Sequence, residues 1–212
     1  MARRKVGNPL ALAVLGCLSE RPMHPYEMAT TMRARHKDES IKLNYGSLYT
    51  VVEALVRHRL IEAHETVREG RRPERTVYRI TDAGSHELVD WLGELVSTPA
   101  KEYLRFEAGL SLLPVLSPSE ATSLLAIRCQ HLEVDLAQRR TVRDLIGEQG
   151  VPRLFVVEYE YTTALLEAEL AWTRSLVTEI EAGSLEGIEM WKDFHQQDRG
   201  AATAGTSGPD RR

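Results

Sequence analysis

The stretch Asn44-Tyr-Gly-Ser-Leu-Tyr-Thr-Val-Val-Glu-Ala-Leu-Val-Arg-His-Arg-Leu-Ile61, which runs on through an arginine-rich segment to Val77-Tyr-Arg-Ile-Thr81, decides how the chain is read. Wound at about 100° per residue, it places Leu48, Val51, Val52 and Leu55 on one side of a helix and Gly46, Ser47, Thr50, Glu53 and Arg57 on the other. The first side is core and the second is presented. Asn44 suits the N-cap, where its side-chain oxygen can accept a free backbone N–H. The small residues and hydroxyls that follow let a base edge or a phosphate come close.

After this helix, 61–67 and 76–80 carry β-branched and apolar positions and predict two short strands, joined across Arg68-Glu-Gly-Arg-Arg-Pro-Glu-Arg75. A helix followed by a basic hairpin is the order of the winged helix-turn-helix, in which the helix enters the major groove and the hairpin follows the backbone or the adjoining minor groove. A solvated turn beside an ordinary core helix would carry the same charges, so the flanking segments have to decide.

They run in the right order. Asn8-Pro9 is a cap with proline at the first helical position, and Leu10, Ala13, Val14 and Cys17 recur at helical spacing up to about Ser19. Glu20 to Pro25 breaks that helix; a second, with Tyr26, Ala29 and Met32 or Arg33 on one stripe, runs to about His36. Thr81 can cap a fourth helix whose Ala83, Leu88, Trp91, Leu92 and Leu95 form a stripe until Ser97-Thr-Pro99. Beyond it, Phe106, Leu110 and Leu113 predict a short helix. Ser117-Pro-Ser-Glu120 supplies cap, N1 proline and N3 glutamate for a long helix to about Gly147. Gly150-Val-Pro152 opens a final helix to about Ala182, with Leu154, Val157, Tyr161, Leu165, Ala168, Trp172 and Leu176 at spacings of three and four. The expected class is mainly α: a winged helix-turn-helix DNA-binding domain over 1–97 with a two-stranded β wing, a long-helix dimerisation and effector domain over 98–183, and a tail over 184–212. Ile188, Trp191 and Phe194 offer one last turn in that tail, and disorder is expected from about 200.

Composition narrows the function. Residues 1–80 hold 15 Lys and Arg against 9 Asp and Glu, whereas 81–212 hold 12 against 22, so contact with a polyanion belongs to the first part. No apolar run reaches about 18 residues and the N-terminus lacks a signal-peptide apolar region, which makes a cytoplasmic protein without membrane contact the expectation. Cys17 and Cys129 lie far apart in apolar helical patterns and read as small buried hydrophobes; no Cys or His cluster has metal-ligand spacing, and no metal or cofactor is expected. No nucleophile elbow, phosphate-cradling glycine loop or Cys–His pairing is visible, so no catalytic residue is assigned.

Gly46-Ser-Leu-Tyr49, Leu55, Leu60-Ile61, Gly70 with the Arg-Pro hairpin, and Val77-Tyr-Arg-Ile-Thr-Asp-Ala-Gly84, preceded by His24-Pro-Tyr-Glu27, together resemble the PadR family of bacterial transcriptional regulators. The resemblance is specific from about Leu10 to Leu95 and looser from Phe106 to Glu181. It implies a homodimer placing two winged helices on a palindromic double-stranded DNA operator, usually as a repressor released by a small molecule or another signal. Two positions depart from the family pattern. Arg59 stands where glycine commonly ends the recognition helix in a left-handed conformation, so either the turn is strained by about 1 kcal/mol or the helix ends differently. Thr50 stands where proline is frequent, and its hydroxyl adds a contact to phosphate or base.

On this reading Tyr45, Gly46, Ser47, Tyr49, Thr50 and Arg57 face DNA from the helix, and Arg68, Arg71, Arg72 and Arg75 from the wing. Two helices of about 30 residues would each span roughly 45 Å, too long for one small domain to cover; the dimer interface is expected to draw on Leu10, Val14 and Cys17 of the first helix and Tyr161, Leu165 and Trp172 of the last. A small aromatic or drug-like effector is expected between Trp91, Phe106, Tyr161 and Trp172, with Arg105 or Glu158 orienting it. The alternative is a winged helix that mediates protein contacts without reading DNA, for which four arginines at the wing tip have no use.

Overall fold

A computed structural model describes residues 6–38, 40–67 and 75–204, and the chain divides into two compact units, Met1–Lys101 and Glu102–Arg212. In the first unit, α1 (Pro9–Glu20), α2 (Pro25–Ala34) and α3 (Tyr45–Arg57) precede an antiparallel pair, β1 (Ile61–Val67) and β2 (Arg75–Ile80), and α4 (Asp82–Ser97) closes the unit. Local chemistry sets these boundaries. Asn8 Oδ1 accepts from Leu10 N with Pro9 at N1; His24 caps α2 through Nδ1, 3.1 Å from Tyr26 N, while Glu27 reaches back to the His24 N–H at 2.9 Å. Thr81 caps α4 through Gly84 N.

Helix α1 is the hub, packing against α2, α3, α4 and β2 with Leu10, Ala11, Val14, Leu15, Cys17 and Leu18 all buried. From α3 come Leu48, Val51, Val52 and Leu55, from α2 Met28, Ala29 and Met32, and from α4 Leu88 and Trp91. Each fully buried aliphatic side chain of this set stabilises by about 1.5–3 kcal/mol before conformational entropy is subtracted. Leu10, Val14 and Cys17, expected at a dimer interface, are 0, 0 and 6 % exposed within this core. They have no surface left for a second chain: their stripe marks burial, and the same chain satisfies it.

The wing is more elaborate than a plain hairpin. Ala63 pairs with Tyr78 and Glu65 with Val77, so His64 is an extra residue in a bulge. On the other edge of β2, Met23 and Tyr78 exchange two backbone hydrogen bonds of 3.0 Å, which ties the α1–α2 connection to the wing.

The second unit begins with the short α5 (Arg105–Ser111) and is built on an antiparallel pair, α6 (Pro118–Glu148) and α7 (Val157–Ala182). The Ser117/Glu120 capping box starts α6 as expected. Cys129, Leu132 and Leu136 meet Leu166 and Leu170, and farther along Leu125 meets Ile180. Helix α7 starts later than Pro152, because Arg153–Phe155 forms a 3-10 turn first, and it ends at Gly183, whose φ of +68° favours glycine. It is not the last helix: α8 (Ile188–Ala204) spans 17 residues where one turn was expected. Ile188 fills the gap by Leu125 and Ile180, and Trp191 Nε1 donates to Leu116 O at 2.7 Å, so α8 is held by α6 and its N-terminal approach. The helix passes Gly200, where disorder was expected to begin; 205–212 lie outside the described residues.

Candidate nucleic-acid interface

Helix α3 buries one face completely and offers the other. Leu48 and Leu55 are 0 % exposed, which fixes the rotation of the helix about its axis and turns Gly46, Tyr49, Thr50, Glu53 and Arg57 to solvent. Asn44 Oδ1 accepts from Ser47 N at 2.7 Å, and Ser47 itself is half-buried at the edge of that strip. The Thr50 hydroxyl donates to Gly46 O at 3.1 Å, which leaves it with outward lone pairs only.

Tyr45 has a second task that the sequence did not disclose. Its ring stacks on Tyr26 with centroids 6.1 Å apart and planes 9° from parallel, and Arg33 both lies 4.7 Å from the ring centroid and donates to the phenol oxygen at 2.8 Å. The cluster fastens the first turn of α3 to α2. Tyr26 and Arg33 stay exposed, so it also extends the presented surface. The available signal was the pair of exposed faces on α2: Met32 is the buried member of its stripe and Arg33 the outward one.

The end of α3 resolves the Arg59 question. Leu60 N–H donates to Leu55 O at 3.0 Å and Arg59 N–H to Val56 O at 2.9 Å, the two bonds of a Schellman motif, with Arg59 at φ +58°. The helix thus ends as a glycine would end it, and arginine bears the strain. Directly beyond, the Thr81 hydroxyl lies 2.9 Å from Arg59 O and 3.0 Å from Leu60 O, so the turn is locked to the start of α4.

Of the wing arginines, Arg75 is exposed at the start of β2, whereas Arg68, Arg71 and Arg72 lie outside the described residues. Arg79 is occupied by Glu62, with Nε donating to the carboxylate at 2.7 Å. A groove of about 540 Å³ opens between the α1–α2 connection and the base of the wing, with His24, Tyr26, His64 and Arg75 on its walls. Burial pushes the His24 imidazole below the usual histidine range, and the positive charge of Arg75 pushes the same way against Glu27.

The expected effector residues are divided between the two units. Trp91 is 5 % exposed in the core of the first unit. In the second unit Phe106 and Trp172 meet edge to face at 6.3 Å, and the Arg128 guanidinium lies 3.6 Å from the Phe106 ring centroid. Arg128 in turn donates through Nε to Glu169 at 2.7 Å. Glu158 and Tyr161 sit on α7 eleven or more residues before Trp172, roughly 16–21 Å away at 1.5 Å per residue, and Arg105 is exposed one residue before Phe106. A straight helix cannot bend them into a common wall. Tyr161, Leu165 and Trp172 are 65, 52 and 50 % exposed, on the side of α7 away from Leu166, Leu170 and Ile180.

Among the described residues no group of three or more His, Cys, Asp or Glu could hold a metal ion, and no helix is long and apolar enough to cross a membrane. The model of the transcriptional regulator PadR-like family matches residues 14–90. Among curated proteins none matches the chain. Three similar solved structures cover nearly the whole of their own chains. Bacillus subtilis PadR in complex with operator DNA is 18 % identical over 82 % of this chain and 99 % of that one, with a TM-score of 0.67. The same protein in complex with p-coumaric acid is 17 % identical over 81 % and 98 %, with a TM-score of 0.65. The Vibrio cholerae virulence activator AphA is 18 % identical over 82 % and 98 %, with a TM-score of 0.61. At such identities the likeness shows a shared fold, winged helix and helical second unit together. The match over residues 14–90, which spans α3, the wing and most of α1 and α4, makes this segment similar to the transcriptional regulators of the PadR-like family.

Proposed function

We propose that the chain works in the cytoplasm as a homodimeric repressor that sets two copies of α3 in successive major grooves of a palindromic operator. One observation carries this reading more than any other. The core-facing side of α3 is fully buried, so the opposite strip, with small and hydroxyl-bearing residues at its N-terminal end, is rigidly held and open. A wing with an exposed arginine at its base lies in the same unit. A winged helix that binds only protein has no need of a basic wing.

The homodimer is supported by the free side of α7. Tyr161, Leu165 and Trp172, with Leu154 of the preceding 3-10 turn, are each at least half exposed, and monomers rarely leave so long an apolar stripe in water. A second copy would cover it. Control by a small aromatic or drug-like molecule follows the same geometry: a ligand shifts operator affinity only if it prefers one spacing of the two wings, and it must therefore act where the second units meet. Phe106, Trp172 and Arg128 supply two rings and a cation for such a ligand.

The test is to sequence the DNA retained by the purified protein from its own genome and to footprint it. Two protected half-sites about 34–36 Å apart, or a multiple of that spacing, support the reading. Retention of no preferred sequence refutes it. A promoter reporter that rises when the protein is removed distinguishes repression from activation.

A further inference from the structure

The exposed strip of α3 carries one residue whose charge opposes its setting. Glu53 lies mid-helix between Thr50 and Arg57 and is exposed. At about 100° and 1.5 Å per residue the three fall within a roughly 60° arc and span about 10 Å, close to three base-pair steps of about 3.4 Å.

A glutamate four residues before an arginine on a helix surface ordinarily closes an ion pair. Elsewhere in the chain Glu20, Glu62, Glu133, Glu160 and Glu169 each take an arginine. Among the described residues Glu53 takes none, and Arg57 beside it is equally unpaired. Thr50 has already given its proton to Gly46 O. Thr50 and Glu53 therefore present acceptors alone, with the Arg57 guanidinium one turn farther along. Phosphate oxygens are acceptors as well, so a carboxylate pressed toward DNA is repelled unless a donor meets it. On the major-groove edges only two donors exist, the N4 amino group of cytosine and the N6 amino group of adenine; N7, O6 and O4 are acceptors. On its own base adenine N6 sits beside N7, which would repel the second carboxylate oxygen, whereas on cytosine N4 sits beside the C5–H.

We propose that Glu53 is a specificity-determining residue that accepts a hydrogen bond from cytosine N4 in each half-site and rejects guanine and thymine there by carboxylate–carbonyl repulsion. The inference rests on the proposal that α3 enters the major groove. It is tested by selecting from a randomised duplex library with the full-length wild-type protein, E53Q and E53A, each checked for folding by circular dichroism. The wild type should select a two-fold symmetric motif with one position per half-site at which cytosine is preferred about tenfold or more. E53Q should move that position toward adenine, which glutamine contacts through both N6 and N7, and E53A should accept any base there, with the remaining positions unchanged. Identical motifs from all three proteins would overturn the role of Glu53 alone. A wild type that selects no motif would overturn the groove placement of α3 along with it.

Discussion

Gly84 is the residue on which the junction of α3 and α4 turns. A Cβ built on Gly84 would lie 2.0 Å from the carbonyl oxygen of Leu60 and 2.9 Å from Ile80 Cγ1. The first obstacle is backbone, and it belongs to the Schellman turn that ends α3. To reach even 3.0 Å, α4 or that turn must retreat by about 1 Å, which breaks the hydrogen bonds of Thr81 N and Oγ1 to Leu60 O at 3.1 and 3.0 Å. Overpacking of this kind costs about 1–3 kcal/mol, and disturbing the Thr81 cap adds about 1 kcal/mol. Gly84→Ala should therefore destabilise the first unit by roughly 2–4 kcal/mol. Nine residues on, Gly93 has nothing within 4 Å of an added Cβ, so Gly93→Ala in the same helix should stabilise by up to about 1 kcal/mol through helix propensity. The assay is urea unfolding of full-length wild type and both variants followed by far-ultraviolet circular dichroism, with midpoints compared at unchanged slope. If Gly84→Ala unfolded at the wild-type midpoint, the close approach of α4 to the α3 turn would be refuted; if both variants were equally destabilised, alanine at any α4 glycine would be the cause and the contact would explain nothing.

Three further outcomes follow from particular residues. Arg59→Gly removes a left-handed arginine while leaving both Schellman bonds in place and should raise stability by about 1 kcal/mol; a loss of stability in urea titration would mean the Arg59 side chain contributes more than its strain costs. The His24 imidazole is held below its usual range and caps α2 in its neutral form, so its contribution is present above about pH 6.5 and lost as pH falls through the lower folded value. His24→Asn, which caps at every pH, should flatten that acid-side loss in denaturation curves between pH 5 and 8, and an unchanged pH profile would remove His24 from the explanation. Leu165→Glu, on the exposed side of α7, should convert a dimer into a species of the 23.9 kDa chain mass in sedimentation at micromolar concentration; a wild type already sedimenting as a monomer would refute the α7 interface.

What the sequence disclosed well was local. Asn8-Pro9, Asn44, Thr81 and Ser117 with Glu120 mark helix starts because a cap is a short-range contact between neighbours, and each forms in the structure. Periodicity showed apolar stripes but not what covers them: Leu10, Val14 and Cys17 are covered by α2, α3, α4 and β2 of the same chain, while Tyr161, Leu165 and Trp172 stay at least half exposed. The bulge at His64 and the Met23–Tyr78 bridge depend on pairing across the wing, which strand propensity does not encode. The Tyr26–Tyr45–Arg33 cluster joins residues 12 to 19 positions apart and leaves no periodic trace. The aromatic pattern did not show spacing along the axis: Glu158 and Trp172 lie on one helix about 21 Å apart at 1.5 Å per residue.

The most direct test of operator recognition is the fluorescence anisotropy of a labelled duplex, taken from the DNA the protein retains, titrated with full-length protein at several salt concentrations beside a scrambled duplex. Binding to the retained sequence is expected to be about a thousandfold or more tighter than to the scrambled one, to weaken steeply with salt, and to lose about one unit of salt slope in Arg75→Ala. Equal affinity for the two duplexes, or an Arg75→Ala protein with the wild-type slope and affinity, would contradict a winged helix that reads DNA with α3 and holds its backbone with the wing.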